Sequence, residues 1–339
     1  IPLLKPNAKV LGLPVKLYVY NLARPNIDSI MEAQRLVNED RNTFWNGLLS
    51  RKQVAGIRQG KINFNSSLKN TGEQPAIINE DNAKRSAKRL NSYYANNGYF
   101  NAKVAYEIKK DSNQRAEITY KVETGQPYYL DEITPIIASK AADSIYAAHK
   151  DNMLIEPGER YQTLAINAER NRLTTLFRNN GLFHYEPDQL RIIVDSVDTG
   201  HKANVEIIID DRQINTIDSV TTIPYQVHKI SKINIVTDYS FTNRERAYND
   251  TIVAEGFNFF AYGNINYRIK SLTDIIPFKP GAVYRDKDRT QTLSQLSGLR
   301  TFKYPSVQYA SDPDDPTGRD LIATIRLTPL EKYKLRADF

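Results

Sequence analysis

Three segments of this 339-residue chain leave a polar helical stretch in the same way, and that recurrence limits the fold to a tandem array. They end at Asn96-Asn97-Gly98-Tyr99-Phe100, Asn179-Asn180-Gly181-Leu182-Phe183 and Gly298-Leu299-Arg300-Thr301-Phe302, and a strand-like run follows each. The last two are preceded by a shared lead-in, Pro157-Gly158-Glu159-Arg160-Tyr161 and Pro280-Gly281-Ala282-Val283-Tyr284. Ile78 to Phe100 and Tyr161 to Phe183 both span 22 residues, and Tyr284 to Phe302 spans 18. The shortfall is about one helical turn, which keeps the packing face unchanged. A helix that ends in a left-handed residue needs glycine just after its last turn, with an apolar contact beyond. Gly98 and Gly181 fill that position, and Gly158 and Gly281 read as turn glycines of the lead-in. The third segment has Arg300 there, so Gly298 is expected to cap instead and the turn to be altered.

Composition narrows the function. No run of about 18 apolar residues exists, so no helix is expected to span a membrane. The start, Ile1-Pro2-Leu3-Leu4-Lys5, lacks the charged-then-apolar pattern of an export signal. The absence of cysteine removes disulfides and thiolate chemistry. The net charge is +7, but basic residues alternate with acids, as in Arg285-Asp286-Lys287-Asp288-Arg289. Such stretches read as solvated helix faces, not as a nucleic-acid arm. Contact with an anionic membrane surface stays in reserve.

The pattern predicts helices near residues 28–56 and from Asn79 to Asn97, with 57–77 read as loop. Strands are predicted at Ala102 to Lys109 and Arg115 to Glu123. A second unit reads strand, helix, helix, strand, strand: Tyr128 to Ile133, Ser139 to His149, Gln162 to Asn179, Leu190 to Asp195 and Ala203 to Asp210. Residues 213–226 show no periodicity and read as a linker. A third unit opens at Lys229 to Val236, with an added aromatic hairpin about 238–267. It continues with helices near Ile269 to Ile276 and Lys287 to Leu296, and strands Tyr304 to Tyr309 and Leu321 to Leu327. The tail, Tyr333 to Phe339, alternates strictly, like the start of another strand.

Catalytic signatures are missing. His149, His184, His201 and His228 stand isolated, without spaced partners, so no metal ligand or general base is assigned. The acidic stretch from Asp312 to Asp320 lacks the alternating oxygens of a calcium loop and is read as a hairpin turn. No phosphate loop or nucleophile elbow appears.

The element order, the Pro-Gly-x-x-Tyr lead-in and the Asn-Gly-[Tyr/Leu]-Phe exit together resemble POTRA domains, the periplasmic modules of the BamA/TamA (Omp85) superfamily. Lys5-Pro6-Asn7, Leu11-Gly12, Leu17-Tyr18 and Tyr20-Asn21-Leu22 at the start, with Leu327-Thr328-Pro329-Leu330-Glu331-Lys332 at the end, look like the Bacteroidetes branch. The resemblance implies an α+β fold of tandem POTRA-like repeats, each β-α-α-β-β, with a three-stranded mixed sheet packed on two helices. It divides the chain into a first domain at 1–124 that lacks its opening strand, a second at 125–212, a linker at 213–226 and a third at 227–330. Residues 331–339 would then begin a C-terminal β-barrel.

The resemblance also implies a function without catalysis or cofactor. Such modules take unfolded clients by strand addition at a free sheet edge, which asks little of client sequence. The candidate edges are Asn101 to Lys109, His184 to Asp195 and Lys303 to Ala310, with Val104, Tyr106, Leu190, Ile192, Lys303, Tyr304, Val307 and Tyr309 as client-binding residues. The last edge is favoured because its unit lies next to the barrel. Implied partners are unfolded outer-membrane proteins, accessory periplasmic or lipoprotein subunits and the chain's own barrel, with no nucleic acid. A dedicated secretion pore and a barrel-less periplasmic adaptor are the alternatives. Asp-Ser/Thr-aliphatic tripeptides, O-glycan acceptors in that branch, occur at Ser29, Ser144, Ser196, Ser219 and Thr251. Ser219 and Thr251 are expected on exposed loops.

Overall fold

The structure, a computed structural model, describes residues 6–26, 29, 30, 33, 51–111, 116–215 and 219–330. The chain divides into two compact units, one of residues 1–95 and 99–125 and the other of 96–98 and 126–339.

In the first unit the described elements are helices α1 (Val15–Leu22), α2 (Arg51–Thr71) and α3 (Glu80–Asn96) and an antiparallel hairpin of β1 (Lys103–Lys110) and β2 (Ala116–Glu123). Helix α3 starts where the sequence places it: the Asn79 side-chain oxygen accepts from the amides of Asp81 (2.8 Å) and Asn82 (3.3 Å). The loop expected at 57–77 is instead the helix α2 through Thr71. Its less exposed stripe, Val54, Arg58, Ile62, Asn65 and Leu68, has helical spacing but places polar residues where apolar ones would reveal a helix. Asn65 explains one of them. Its side chain accepts from the Arg24 amide (2.7 Å) and donates to the Arg24 carbonyl (2.8 Å), tying the end of α1 to α2.

The second unit repeats one topology. Strand β3 (Tyr129–Ile137) leads through α4 (Lys140–Ala148) and α5 (Thr163–Asn179) to the antiparallel pair β4 (Leu190–Asp195) and β5 (Lys202–Ile209). Strand β5 lies between β3, which it meets in parallel, and β4. Its buried residues alternate, Ala203, Val205, Ile207 and Ile209, as one packed face of a strand requires. Ile166, Leu173 and Phe177 of α5 and Ala142 and Tyr146 of α4 are buried with them. Residues 213–226 are not featureless: β6 (Arg212–Asn215) and β7 (Val220–Ile223) form a hairpin there. Val220 to Ile223 are all exposed, which is why no alternation marks them.

The same order then recurs from β8 (Lys229–Val236), with a hairpin of β9 (Asp250–Ala254) and β10 (Phe257–Ala261) inserted before α6 (Ile269–Thr273) and α7 (Asp286–Gly298). Strands β11 (Phe302–Ser311) and β12 (Asp320–Pro329) complete a sheet ordered β11-β12-β8-β10-β9. Leu321, Ala323, Ile325 and Leu327 of the interior strand β12 pack with Ile233, Ile235, Phe257, Phe259, Leu272 and Leu296 in one core. The fold is thus mixed α+β and POTRA-like, with helices against mixed sheets. The predicted strand at 331–339 lies outside the described residues.

Candidate functional site

The repeated glycines have defined conformations. Gly98, Gly158, Gly181 and Gly281 have φ of +88°, +88°, +97° and +86°. At the helix exits the amides of Tyr99 and Leu182 reach back to the carbonyls of Tyr94 and Phe177 (3.0 and 3.1 Å), the six-to-one bond of a Schellman ending. In the third repeat Arg300 itself takes the left-handed conformation, at φ +52°, so Gly298 is not the substitute cap the sequence suggested.

The Pro-Gly-x-x-Tyr lead-in is a short antiparallel bridge on the first strand of its own repeat. Gly158 donates to Leu130, Leu130 to Glu159 and Tyr161 to Tyr128, at 2.7, 2.7 and 2.9 Å. Gly281, Ile230 and Tyr284 repeat this with Ile230, Ala282 and His228, at 2.7, 2.8 and 2.9 Å. The Gly181 carbonyl accepts from the His228 amide (2.9 Å), so the exit of α5 is hydrogen-bonded to the start of β8.

Side chains reinforce this joint. Arg178 reaches Asp286 (2.9 Å) and the Tyr185 carbonyl (2.9 Å), and the Tyr284 hydroxyl donates to the same Asp286 oxygen (2.9 Å). Burial pushes the Asp286 carboxyl upward, but the hydrogen bonds from Arg178 and Tyr284 outweigh it and hold the group below its ordinary range. The Phe183 ring meets those of Tyr284 (5.0 Å), His228 (5.9 Å) and Tyr309 (6.0 Å). His184 and His228, unrelated in sequence, bring their rings to 5.0 Å. No sequence spacing signals that pair, because the turn after α5 and the start of β8 meet only in the fold.

Burial, then Arg212 and His228, lowers His184 to about 4. Burial also lowers His228, against hydrogen bonds that its ring donates to the backbone at Gly181 and Gln226, with Arg212 and Arg319 adding to the depression. The unfolded chain therefore takes up protons first, and stability should fall as pH drops from 6.5 towards about 4. Thermal melts across that window check this. His184→Gln should flatten the pH dependence, and an unaltered slope would contradict the assignment.

Free edges flank this scaffold. On and beside β12, Arg319 and Leu327 carbonyls accept from Lys229 and Tyr239, whereas Leu330 donates to Thr301 and Asp320 accepts from Asp312. Odd-numbered residues therefore face β8 and even-numbered ones β11. By antiparallel alternation the backbone groups of Val307, Tyr309 and Ser311 turn away from β12 to an edge that no other strand among the described residues adjoins. Lys303 instead pairs with Thr328, and Tyr304, 90% exposed at φ +48°, sits with Pro305 in the irregularity before Ser306. The usable part of β11 is thus its second half, since a bulge and a proline blunt the first. The Val307 side chain is core, and the Tyr309 ring packs into the joint.

The same reasoning applies to β4. Tyr129 and Ala138 amides bond the carbonyls of His201 and Ile209, so even-numbered residues of β5 face β4. Leu190, Ile192 and Val194 then turn their backbone groups outward. The stretch from His184 to Gln189, expected to extend this edge, is a turn and a single 3-10 turn. Val104 and Tyr106 lie on β1, half-buried on the face shared by Ile118 and Tyr120 across the hairpin. Ser219 is exposed just before β7, while Thr251 is exposed but lies in β9, not on a loop. Among the described residues, no group of three or more His, Cys, Asp or Glu is placed to hold a metal, and no helix is long and apolar enough to cross a membrane.

Residues 52–125 match the model of the POTRA family, described as a surface antigen variable number repeat. No curated protein matches the chain. Among solved structures, it is similar to POTRA domains 3–5 of BamA from Haemophilus influenzae, with 11% identity over 76% of this chain and 84% of that one and a TM-score of 0.37. BamA from Haemophilus ducreyi lacking POTRA domains 1–3 gives 10% identity, 60% and 30% coverage and a TM-score of 0.38. The N-terminal domain of Omp85 from Thermosynechococcus elongatus gives 12%, 77%, 88% and 0.25.

Proposed function

We propose that this chain is a non-catalytic, periplasmic module of an outer-membrane protein assembly or translocation factor, and that it receives extended client segments by strand addition. Its three repeats, at 1–124, 125–212 and 227–330, form the array, and a C-terminal barrel accepts what they deliver. The single observation that supports this most is the β11 edge. Val307, Tyr309 and Ser311 offer unpaired backbone groups there, on a strand whose other side is locked into the interior strand β12. Tyr309 links that edge to the joint with the preceding repeat through Phe183 and Tyr284.

Ser311→Pro tests the reading. The Ser311 amide points outward and its side chain is exposed, so proline removes a donor from the edge without removing a ladder bond. Affinity for an unfolded peptide from an outer-membrane β-strand, measured by fluorescence anisotropy, should fall about tenfold, the worth of one lost hydrogen bond. The melting temperature should not move. Unchanged affinity would exclude β11 as the client edge. For the native protein, a heat-shifted band above 38.7 kDa on a denaturing gel supports an attached barrel, and an unshifted band near that mass leaves a periplasmic adaptor.

A further inference from the structure

The positive charge of this protein sits at one end of it. Residues 1–72 hold eleven Lys and Arg against four Asp and Glu, a net +7 that equals the charge of the whole chain, so residues 73–339 are neutral. All four acids fall within 28–40, and residues 1–27 and 41–72 contain none. Among the described residues no salt bridge involves a cation of 6–26 or 52–72. The first acid after α2, Glu73, accepts a hydrogen bond from the Ala8 amide (3.0 Å).

The same segment turns apolar side chains to solvent. No residue of α1 is buried. Val15, Tyr18 and Leu22 are exposed at spacings of three and four, so one face of α1 presents an apolar stripe outward, the reverse of a helix packed on a core. Before it, Val10 and Leu13 bridge a tight turn with Leu11 at its tip, 99% exposed. On α2, Ile57 and Phe64 are exposed at helical spacing on either side of Lys61. Polar bonds, and not apolar burial, hold α1 in place. The Glu73 amide donates to the Lys16 carbonyl (3.0 Å), Asn7 bonds the Gln74 carbonyl (2.7 Å) and the Ala76 amide (2.9 Å), and Asn65 clasps Arg24. The stripe is thereby positioned and left free.

We infer that the α1 region of the first unit is a docking surface for an anionic lipid bilayer. At eight residues α1 is too short to cross one, so it lies in the interface. Leu11, Val15, Tyr18 and Leu22 enter the apolar boundary, while the exposed Lys9, Lys16 and Arg24 meet lipid phosphates. Tyr18 suits that boundary, since its ring is apolar and its hydroxyl polar. Charge alone would equally favour a nucleic acid, but a nucleic acid gains nothing from Leu11 or Leu22, and a bilayer buries both. The surface is independent of strand addition at β11.

The test is co-sedimentation of the full chain with sucrose-loaded vesicles, either of phosphatidylcholine alone or of phosphatidylcholine and phosphatidylglycerol in roughly equal parts. The wild type should bind the anionic vesicles more tightly than the neutral ones. Leu11→Asn with Leu22→Gln should weaken binding by about tenfold or more, the worth of one buried leucine. Asparagine tolerates the φ of +51° at position 11, and both leucines are exposed, so the fold should be kept. Lys9→Gln with Lys16→Gln should weaken binding by about fivefold for each cation lost. The chain has no cysteine, so Leu13→Cys carrying a nitrobenzoxadiazole dye reports insertion as a blue shift, which decides the matter should the leucine variant prove unstable. Failure of the wild type to bind, equal binding to neutral and anionic vesicles, or full binding by the leucine variant would overturn the inference. So would tighter binding to a single-stranded oligonucleotide than to vesicles. Concentration-dependent dimers that the leucine variant abolishes would assign the stripe to a second copy of the chain and overturn it as well.

Discussion

Replacing Gly181 by alanine is expected to destabilise the second unit by roughly 2–5 kcal/mol, from left-handed strain of about 1–2 and overpacking of about 1–3. The residue sits at φ +97°, and an added Cβ would lie 2.6 Å from Cγ1 of Val227 and 3.0 Å from Cγ1 of Val283. It also places the carbonyl that binds the His228 amide, so relief of the clash would pull at the start of β8. Urea unfolding measures the effect. Gly281→Ala, at φ +86° with open space around it, isolates the backbone share and should cost about 1 kcal/mol. Adding Val227→Ala to Gly181→Ala should recover part of the steric share. Equal losses for the two glycines would show that the contact with Val227 and Val283 is not resisting the added methyl.

Glu169→Ala should be the other severe change, costing roughly 3–5 kcal/mol because it breaks a buried ion pair from one side. Glu169 is fully buried on α5 and takes two hydrogen bonds from Arg172, at 2.7 and 2.6 Å. It also accepts from the Leu154 amide (3.0 Å), which anchors the segment after α4. Removing the carboxylate leaves a largely covered guanidinium and an unpaired amide. Replacing both partners, Glu169→Leu with Arg172→Met, should cost less than Glu169→Ala, since no buried charge is stranded. A double variant as unstable as the single one would show that the pair acts through packing and not through charge.

Both residues show what a sequence can and cannot disclose. Glu169 reads as one more acid on a polar helix, at a spacing from Arg172 that many exposed pairs share, and nothing along the chain marks it as buried. Gly181 is legible, because a helix exit repeated in register requires a residue free to turn left-handed. Its contacts with Val227 and Val283 are not, since those residues lie 46 and 102 positions away. Arg300 reverses the lesson: the third exit keeps the left-handed turn without glycine, so geometry outlasts the residue type that announces it. Helix α2 escaped detection for a related reason, since Asn65 and Arg58 occupy positions where periodicity looks for apolar side chains.

By itself the sequence determined the local geometry. The period of its repeats, the two-residue alternation of β5 and β12 and the turn glycines each follow from backbone sterics and from which neighbours share a face, and these act over a few residues. Only the tertiary structure decided which strands are edges, which of their backbone groups point outward, and that His184, Phe183, Tyr284 and Tyr309 meet. Sheet order is a property of pairing between segments up to about 100 residues apart, and a hydrogen-bonding group is free only when no such partner arrives. The hairpin that fills the outer side of β8 and exposes β9 is legible as an aromatic insert, but the side of the sheet on which it adds is set by packing.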